Sequence, residues 1–117
     1  MHKIGSSERP ELPLSVVVGA GGMGMAVARR LGQSHRLLLA DRNGEHLERQ
    51  IAALRAEGHD AQGAICDVSA ESDILELAEQ AGRAGPVRTL AYVVGLSPSS
   101  SDFRREVGPK NFKLRAL

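Results

Sequence analysis

The stretch Val16-Val17-Val18-Gly19-Ala20-Gly21-Gly22-Met23-Gly24-Met25-Ala26-Val27-Ala28 decides how this chain folds. The valines form a β-branched run too short for a helix and well suited to a strand. Met23, Ala26, Val27 and Leu31 then recur at helical spacing, with Gly32 where that helix should stop. Between them stands Gly19-x-Gly21-x-x-Gly24, so the order is strand, tight turn, helix.

Working outward, the same alternation repeats. Leu14 to Val18 is a continuous apolar run, the pattern of a parallel strand covered on both faces. Leu37-Leu38-Leu39-Ala40 is a second such strand, ending at Asp41. Asn43 is placed to cap a helix whose apolar positions are Leu47, Ile51 and Leu54, with a stop at Gly58. A third strand runs from about Ala61 to Cys66, weakened by Gln62 and Gly63. Asp67-Val68-Ser69 follows, with Ser69 as the expected cap of a helix whose buried stripe is Ile74, Leu77, Ala78 and Ala81. Gly82, Gly85 and Pro86 end it, and Val87 to Val94 reads as a fourth strand. Alternating strands and helices predict an α/β fold with a parallel sheet. Right-handed crossovers then set the strand order 3-2-1-4 and place a crevice between the first and fourth strands.

The chain ends frame this unit. Residues 1–13 carry Pro10 and Pro13 and read as a loose N-terminal arm; residues 14–98 hold the α/β unit; residues 99–117 read as an irregular or partly helical tail, with Gly108-Pro109 breaking any helix begun at Asp102. With 117 residues the chain is one domain. Fifteen Lys and Arg against 14 Asp and Glu leave no footprint for nucleic acid, and aromatic stacking residues are scarce. No apolar run has membrane-spanning length and the start is no secretory leader, so a cytoplasmic protein is expected. The single cysteine, Cys66, excludes an internal disulfide and reads as a buried packing residue. His2, His35, His46 and His59 are scattered without ligand spacing; they read as surface residues, and no metal site is expected.

The glycine turn suits a dinucleotide pyrophosphate, because the first turn of a helix presents unpaired N–H groups and the positive end of the helix dipole. Gly19 would permit the turn, Gly21 leave room for phosphates, and Gly24 let helix and strand approach. A glycine turn serving packing alone is the alternative. Asp41 lies roughly 20 residues beyond Gly19, the interval at which a carboxylate takes the adenosine ribose hydroxyls. That carboxylate favours NAD, while Arg42 beside it leaves NADP open.

Gly19 through Leu31, then Ala40-Asp41-Arg42, then Cys66-Asp67-Val68-Ser69, together resemble the short-chain dehydrogenase/reductase family over about Leu14 to Pro98. The resemblance implies a Rossmann-like nucleotide-binding half-domain, with Asp67 and Val68 against the adenine ring. Asp67 is equally readable as a carboxylate facing a helix N-terminus. After the fourth strand, where most members show Asn-Asn-Ala-Gly, this chain has Tyr92-Val93-Val94-Gly95, keeping only the glycine. The glycine turn also lacks the threonine and one spacer of the commonest family version. The expected cofactor-binding set is Gly19, Gly21, Gly22, Met23, Gly24, Asp41, Arg42, Asp67, Val68, Val94 and Gly95.

The family's hydride chemistry uses a tyrosine, a lysine four residues further on and a serine. Here the only tyrosine is Tyr92, inside a strand, and Leu96 stands four residues on, so no catalytic residue is assigned. The chain resembles the nucleotide-binding half of a longer reductase, cut short. A non-catalytic NAD(H)-sensing module, similar to the regulatory domains of potassium transport systems, is the rival reading; a flavin-binding half-domain is a weaker third. Without a fifth strand and its helix, the edge Leu90 to Val94 and one sheet face should be exposed, favouring self-association or marginal stability.

Overall fold

Apolar strands joined by amphipathic helices build one sheet in the computed structural model, which describes residues 11–93 and the backbone of a short strand at residues 3–4. In chain order the elements are β1 (Lys3–Ile4), β2 (Leu14–Val18), α1 (Gly22–Leu31), β3 (Arg36–Asp41), α2 (Gly44–Ala56), β4 (Ala61–Ile65), α3 (Glu71–Ala84) and β5 (Val87–Tyr92). The sheet order is β1-β4-β3-β2-β5. β2 pairs in parallel with β3 and β5, and β3 with β4, so the four-strand parallel core has the predicted order 3-2-1-4.

The two faces are covered unequally. Val17, Leu37 and Leu39 pack under α1 and α2 with Met25, Ala28, Leu47, Ile51 and Leu54. Each fully buried leucine of this kind contributes on the order of 1.5–3 kcal/mol. The other face, with Leu14, Val16, Val18, Leu38 and Ala40, is covered by α3 through Leu77 and Ala81. One helix spans less width than two, and the shortfall lies over β5.

That shortfall corrects the expected stripe of α3. Leu77 and Ala81 are buried, but Ile74 is 44% exposed and Ala78 is also exposed. With Val16, Val18, Val87, Leu90 and Tyr92 they line an apolar groove of about 340 Å³. Leu90 and Tyr92 are 44% and 48% exposed on the outermost strand, as the sequence leads one to expect of an uncovered edge.

Other corrections come from contacts distant in sequence. Lys3 and Ile4 are not part of a loose arm; they pair antiparallel with Ala64 and Gly63, using the otherwise unpaired outer edge of β4. Leu12 and Pro13 are tied as well, their carbonyls accepting from the Arg36 side chain and backbone at 2.8 and 2.9 Å. Arg36 thus begins β3 and is buried. Gly63 is no weakness in β4, since a side chain there would press on Leu47 and Ile51 of α2. Ser69 does not cap α3: the N-cap is Ala70, because Ser69 is engaged by Asp67. Asn43 does cap α2, its side chain accepting from the His46 N–H at 3.0 Å.

Gly24 has a strict steric role. A Cβ on it would lie inside the van der Waals envelope of the Gly19 carbonyl oxygen, a backbone atom with little freedom to retreat. Gly82, on the exposed side of α3, has open space around it. Gly24→Ala should therefore destabilise the fold by about 1–3 kcal/mol, the cost of overpacking. Gly82→Ala should stabilise it by about 0.5–1 kcal/mol through helix propensity. Paired thermal melts check this, and a Gly24→Ala protein melting at or above wild type would refute the constraint.

Candidate dinucleotide cleft

A cleft of about 570 Å³ opens at the carboxyl ends of β2, β3 and β4. Its walls are the Gly19–Gly24 turn, Ala40-Asp41-Arg42, Cys66 to Ser69, and Val93. This is the end of a parallel sheet, beside the strand-order reversal, where ligands of such folds bind. The structure brings together Gly19, Gly21, Gly22, Met23, Gly24, Asp41, Arg42, Asp67 and Val68 of the expected set. Val94 and Gly95 lie outside the described residues. Val93, one position earlier and not anticipated, lines the cleft and donates its N–H to the Val18 carbonyl at 2.8 Å.

The turn is built from backbone constraints. Gly19 has φ 113°, a conformation that side chains disfavour, and its N–H bonds the Ala40 carbonyl at 2.8 Å. Around Gly21 and Gly22 nothing lies within 4 Å of a would-be Cβ, so the turn presents open space on its outer side.

The start of α1 differs electrostatically from the other helix starts. α2 has the Asn43 cap and Glu45 in its first turn, and α3 has Glu71 and Asp73. α1 has neither a side-chain cap nor an acidic first-turn residue. Its first turn opens at the cleft with no side-chain cap or acid of its own, an arrangement that favours an anion.

Asp41 has a role that the ribose reading did not include. Its Oδ2 accepts the Ala20 N–H at 2.9 Å and its Oδ1 accepts the Asn43 N–H at 3.0 Å. The carboxylate therefore holds the glycine turn and the start of α2, and Asp41 lines the cleft. His46, expected at the surface, is half-buried, and its Nε2–H donates to the Ala20 carbonyl at 2.8 Å. Gln50 adds a second donor to the same oxygen at 3.2 Å. Helical spacing puts His46 and Gln50 on one face of α2, but no local signal in the sequence points them at Ala20.

On the opposite wall, Asp67 accepts from the Ser69 hydroxyl at 2.7 Å and from its N–H at 2.9 Å. The Asp67 N–H donates in turn to Asp73 at 2.9 Å, bracing the loop against α3. The Ser69 hydroxyl, then the Ser69 N–H, lower the Asp67 carboxyl below its ordinary range, with Arg42 adding a smaller effect. Burial, then the charges of Asp73 and Asp67, raise the Cys66 thiol, so it stays protonated as a packing group. Tyr92 lines the groove beside α3 and not this cleft. Among the described residues no group of His, Cys, Asp or Glu could hold a metal ion, and no helix is long and apolar enough to cross a membrane.

A sheet with this order and a glycine turn at its switch point define a Rossmann-like nucleotide-binding class. The short chain dehydrogenase family model matches residues 14–113, and the chain belongs to that family. A short-chain dehydrogenase/reductase, bsc3, of Alternaria brassicicola is 33% identical over 86 residues, covering 74% of this chain and 31% of its own length. The 2,3-dihydro-2,3-dihydroxybenzoate dehydrogenase of Bacillus subtilis is 35% identical over 71% of this chain and 33% of its own. The chain thus spans about a third of the length of these curated relatives. Among solved structures, a variant of actinorhodin polyketide ketoreductase with NADPH superposes with a TM-score of 0.70 at 33% identity, covering 74% of this chain and 34% of that one. A short-chain dehydrogenase/reductase from Burkholderia phymatum in complex with NAD gives 0.62 at 36% identity, covering 67% and 29%.

The Asp67 geometry makes a pH prediction. A carboxyl whose folded pKa is depressed contributes stability above its unfolded pKa and loses it as pH falls through the folded value. Ser69→Ala should raise the Asp67 pKa toward that of an ordinary carboxylate and lower stability at neutral pH, with the difference from wild type fading as pH falls through the wild-type folded pKa. A carbon-detected NMR titration of the Asp67 carboxyl measures it, and an unchanged pKa in Ser69→Ala would contradict the assignment.

Proposed function

We propose that residues 14–98 bind NAD(H), with the pyrophosphate on the first turn of α1, the adenosine ribose at Asp41 and the adenine between Arg42 and the Asp67-Val68 loop. The observation that carries this reading is the uncapped, acid-free start of α1, opening beside space that glycines leave free. Solved relatives with NADPH and with NAD support a nicotinamide dinucleotide as the ligand class. The carboxylate of Asp41, held by two backbone N–H groups, favours the ribose diol of NAD over the phosphate of NADP, with Arg42 tempering the preference.

The bound dinucleotide would supply hydride transfer, and this chain's residues would bind and orient its adenosine and pyrophosphate half. By itself the chain is proposed to be inactive on alcohols and ketones, since its one tyrosine sits on β5, facing a different groove. The same observation favours the second reading, a module that binds NAD(H) as a signal.

Calorimetric titration of the folded chain with NADH and NADPH tests binding. Both should bind, NADH more tightly by about tenfold, the equivalent of about 1.4 kcal/mol. No heat with either would refute the reading. Turnover assays with alcohols should give none; measurable oxidation would overturn the inactive assignment.

Self-association is part of the same proposal, through the outer edge of β5 and the apolar groove beside it. Sedimentation velocity should show a concentration-dependent shift to larger species. Leu90→Lys, which charges that surface, should suppress the shift, and a wild-type monomer at every concentration would refute it.

A further inference from the structure

We infer that His46 and Gln50 are positioning residues that aim the Gly21 amide into the cleft. The inference rests on the dinucleotide reading above and goes further, assigning to side chains of α2 a function that neither touches the ligand nor belongs to the glycine turn.

The argument begins with Ala20, the buried residue at the apex of the turn. Its N–H is taken by Asp41 at 2.9 Å. Its carbonyl receives two side-chain donors, His46 Nε2 at 2.8 Å and Gln50 Nε2 at 3.2 Å. The peptide units on both sides of Ala20 are therefore fixed by side chains from β3 and α2. The described residues contain no cis peptide bond, so the C=O of Ala20 and the N–H of Gly21 point in opposite directions across one rigid plane. Drawing the carbonyl toward α2 turns the Gly21 N–H away from α2. Open space surrounds Gly21, and the residue lines the cleft.

An unanchored Gly-x-Gly turn can rotate this peptide at little cost, because glycine tolerates most backbone angles. A bound phosphate would then have to order the turn itself. Two donors on one carbonyl remove that burden and hold the amide ready. A carbonyl can only accept, so His46 must carry its proton on Nε2. The His46 backbone N–H is bonded to the Asn43 cap at 3.0 Å, which fixes the start of α2 from which the imidazole reaches.

The test uses the full chain, with NADH as the phosphate-bearing probe and adenosine as the phosphate-free one. His46→Ala and Gln50→Ala should each weaken NADH binding by about three- to tenfold, the range of one hydrogen bond, and the double variant by more. Adenosine binding, followed by NMR shifts, should stay within about twofold. His46→Gln, which keeps a donor, should recover part of the loss. Unchanged NADH affinity in the double variant, or equal losses for NADH and adenosine, would overturn the positioning role while leaving dinucleotide binding intact. Absence of NADH binding in the wild-type chain would overturn the underlying reading and this inference with it. A measurement on the wild type alone guards against variants that fail to fold: imidazole nitrogen shifts should show neutral His46 protonated on Nε2, and an Nδ1-protonated ring would refute the inference.

Discussion

The contact between the backbones of Gly19 and Gly24 is the constraint on which the rest of the structure depends. Because position 24 carries no Cβ, α1 can begin directly against the end of β2. The turn between them must therefore be tight, and Gly19 takes a positive φ to make it so. Once the turn is this short, the first N–H groups of α1 open at the carboxyl edge of the sheet, where the ends of β3 and β4 also arrive. Steric economy at one glycine thus sets the location and electrostatic character of the cleft.

Features determined by neighbours in sequence were legible without a structure. The glycine turn, the Asn43 cap, the stop near Gly58 and the carboxylate at the end of β3 each follow from local backbone chemistry, and the structure has each in place. The parallel core order followed from crossover handedness, another local preference repeated along the chain. What escaped were contacts with partners remote in sequence. His46 reaches back to Ala20, Arg36 to Leu12, and Lys3–Ile4 pair with β4, and no periodicity or motif encodes any of these choices. Ser69 departs from its expected role for a local reason: its hydroxyl donates to the nearby Asp67 carboxylate instead of accepting from an N–H at the start of α3.

Helix α3 shows how a correct pattern can overstate burial. Its apolar stripe is genuine, but periodicity reports which face a helix turns inward and not how much neighbour is there to receive it. Leu77 and Ala81 meet β2 and β3, whereas Ile74 and Ala78 overhang the groove above β5. The stripe is wide enough for a layer with a second helix beside α3, and the curated relatives that the chain matches run to more than twice its length.

This asymmetry borders the cleft on one side only. Asp41, Cys66 and the glycine turn rest on β2, β3 and β4, whose inward side chains are buried on both faces. Apart from Met23 of α1, which lines the cleft, the exposed large apolar residues belong to β5 and the outer side of α3. The two regions meet at Val18 and Val68, which line both the cleft and the groove, and at Val93, which follows β5, lines the cleft and bonds Val18. Loosening of β5 would therefore reach the cleft first at Val93, on the side of the sheet reversal. Asp41 and the turn it holds are braced from α2 and β3 instead, by bonds that do not involve β5. The Asp41 side of the cleft thus draws its supports from the fully covered part of the sheet.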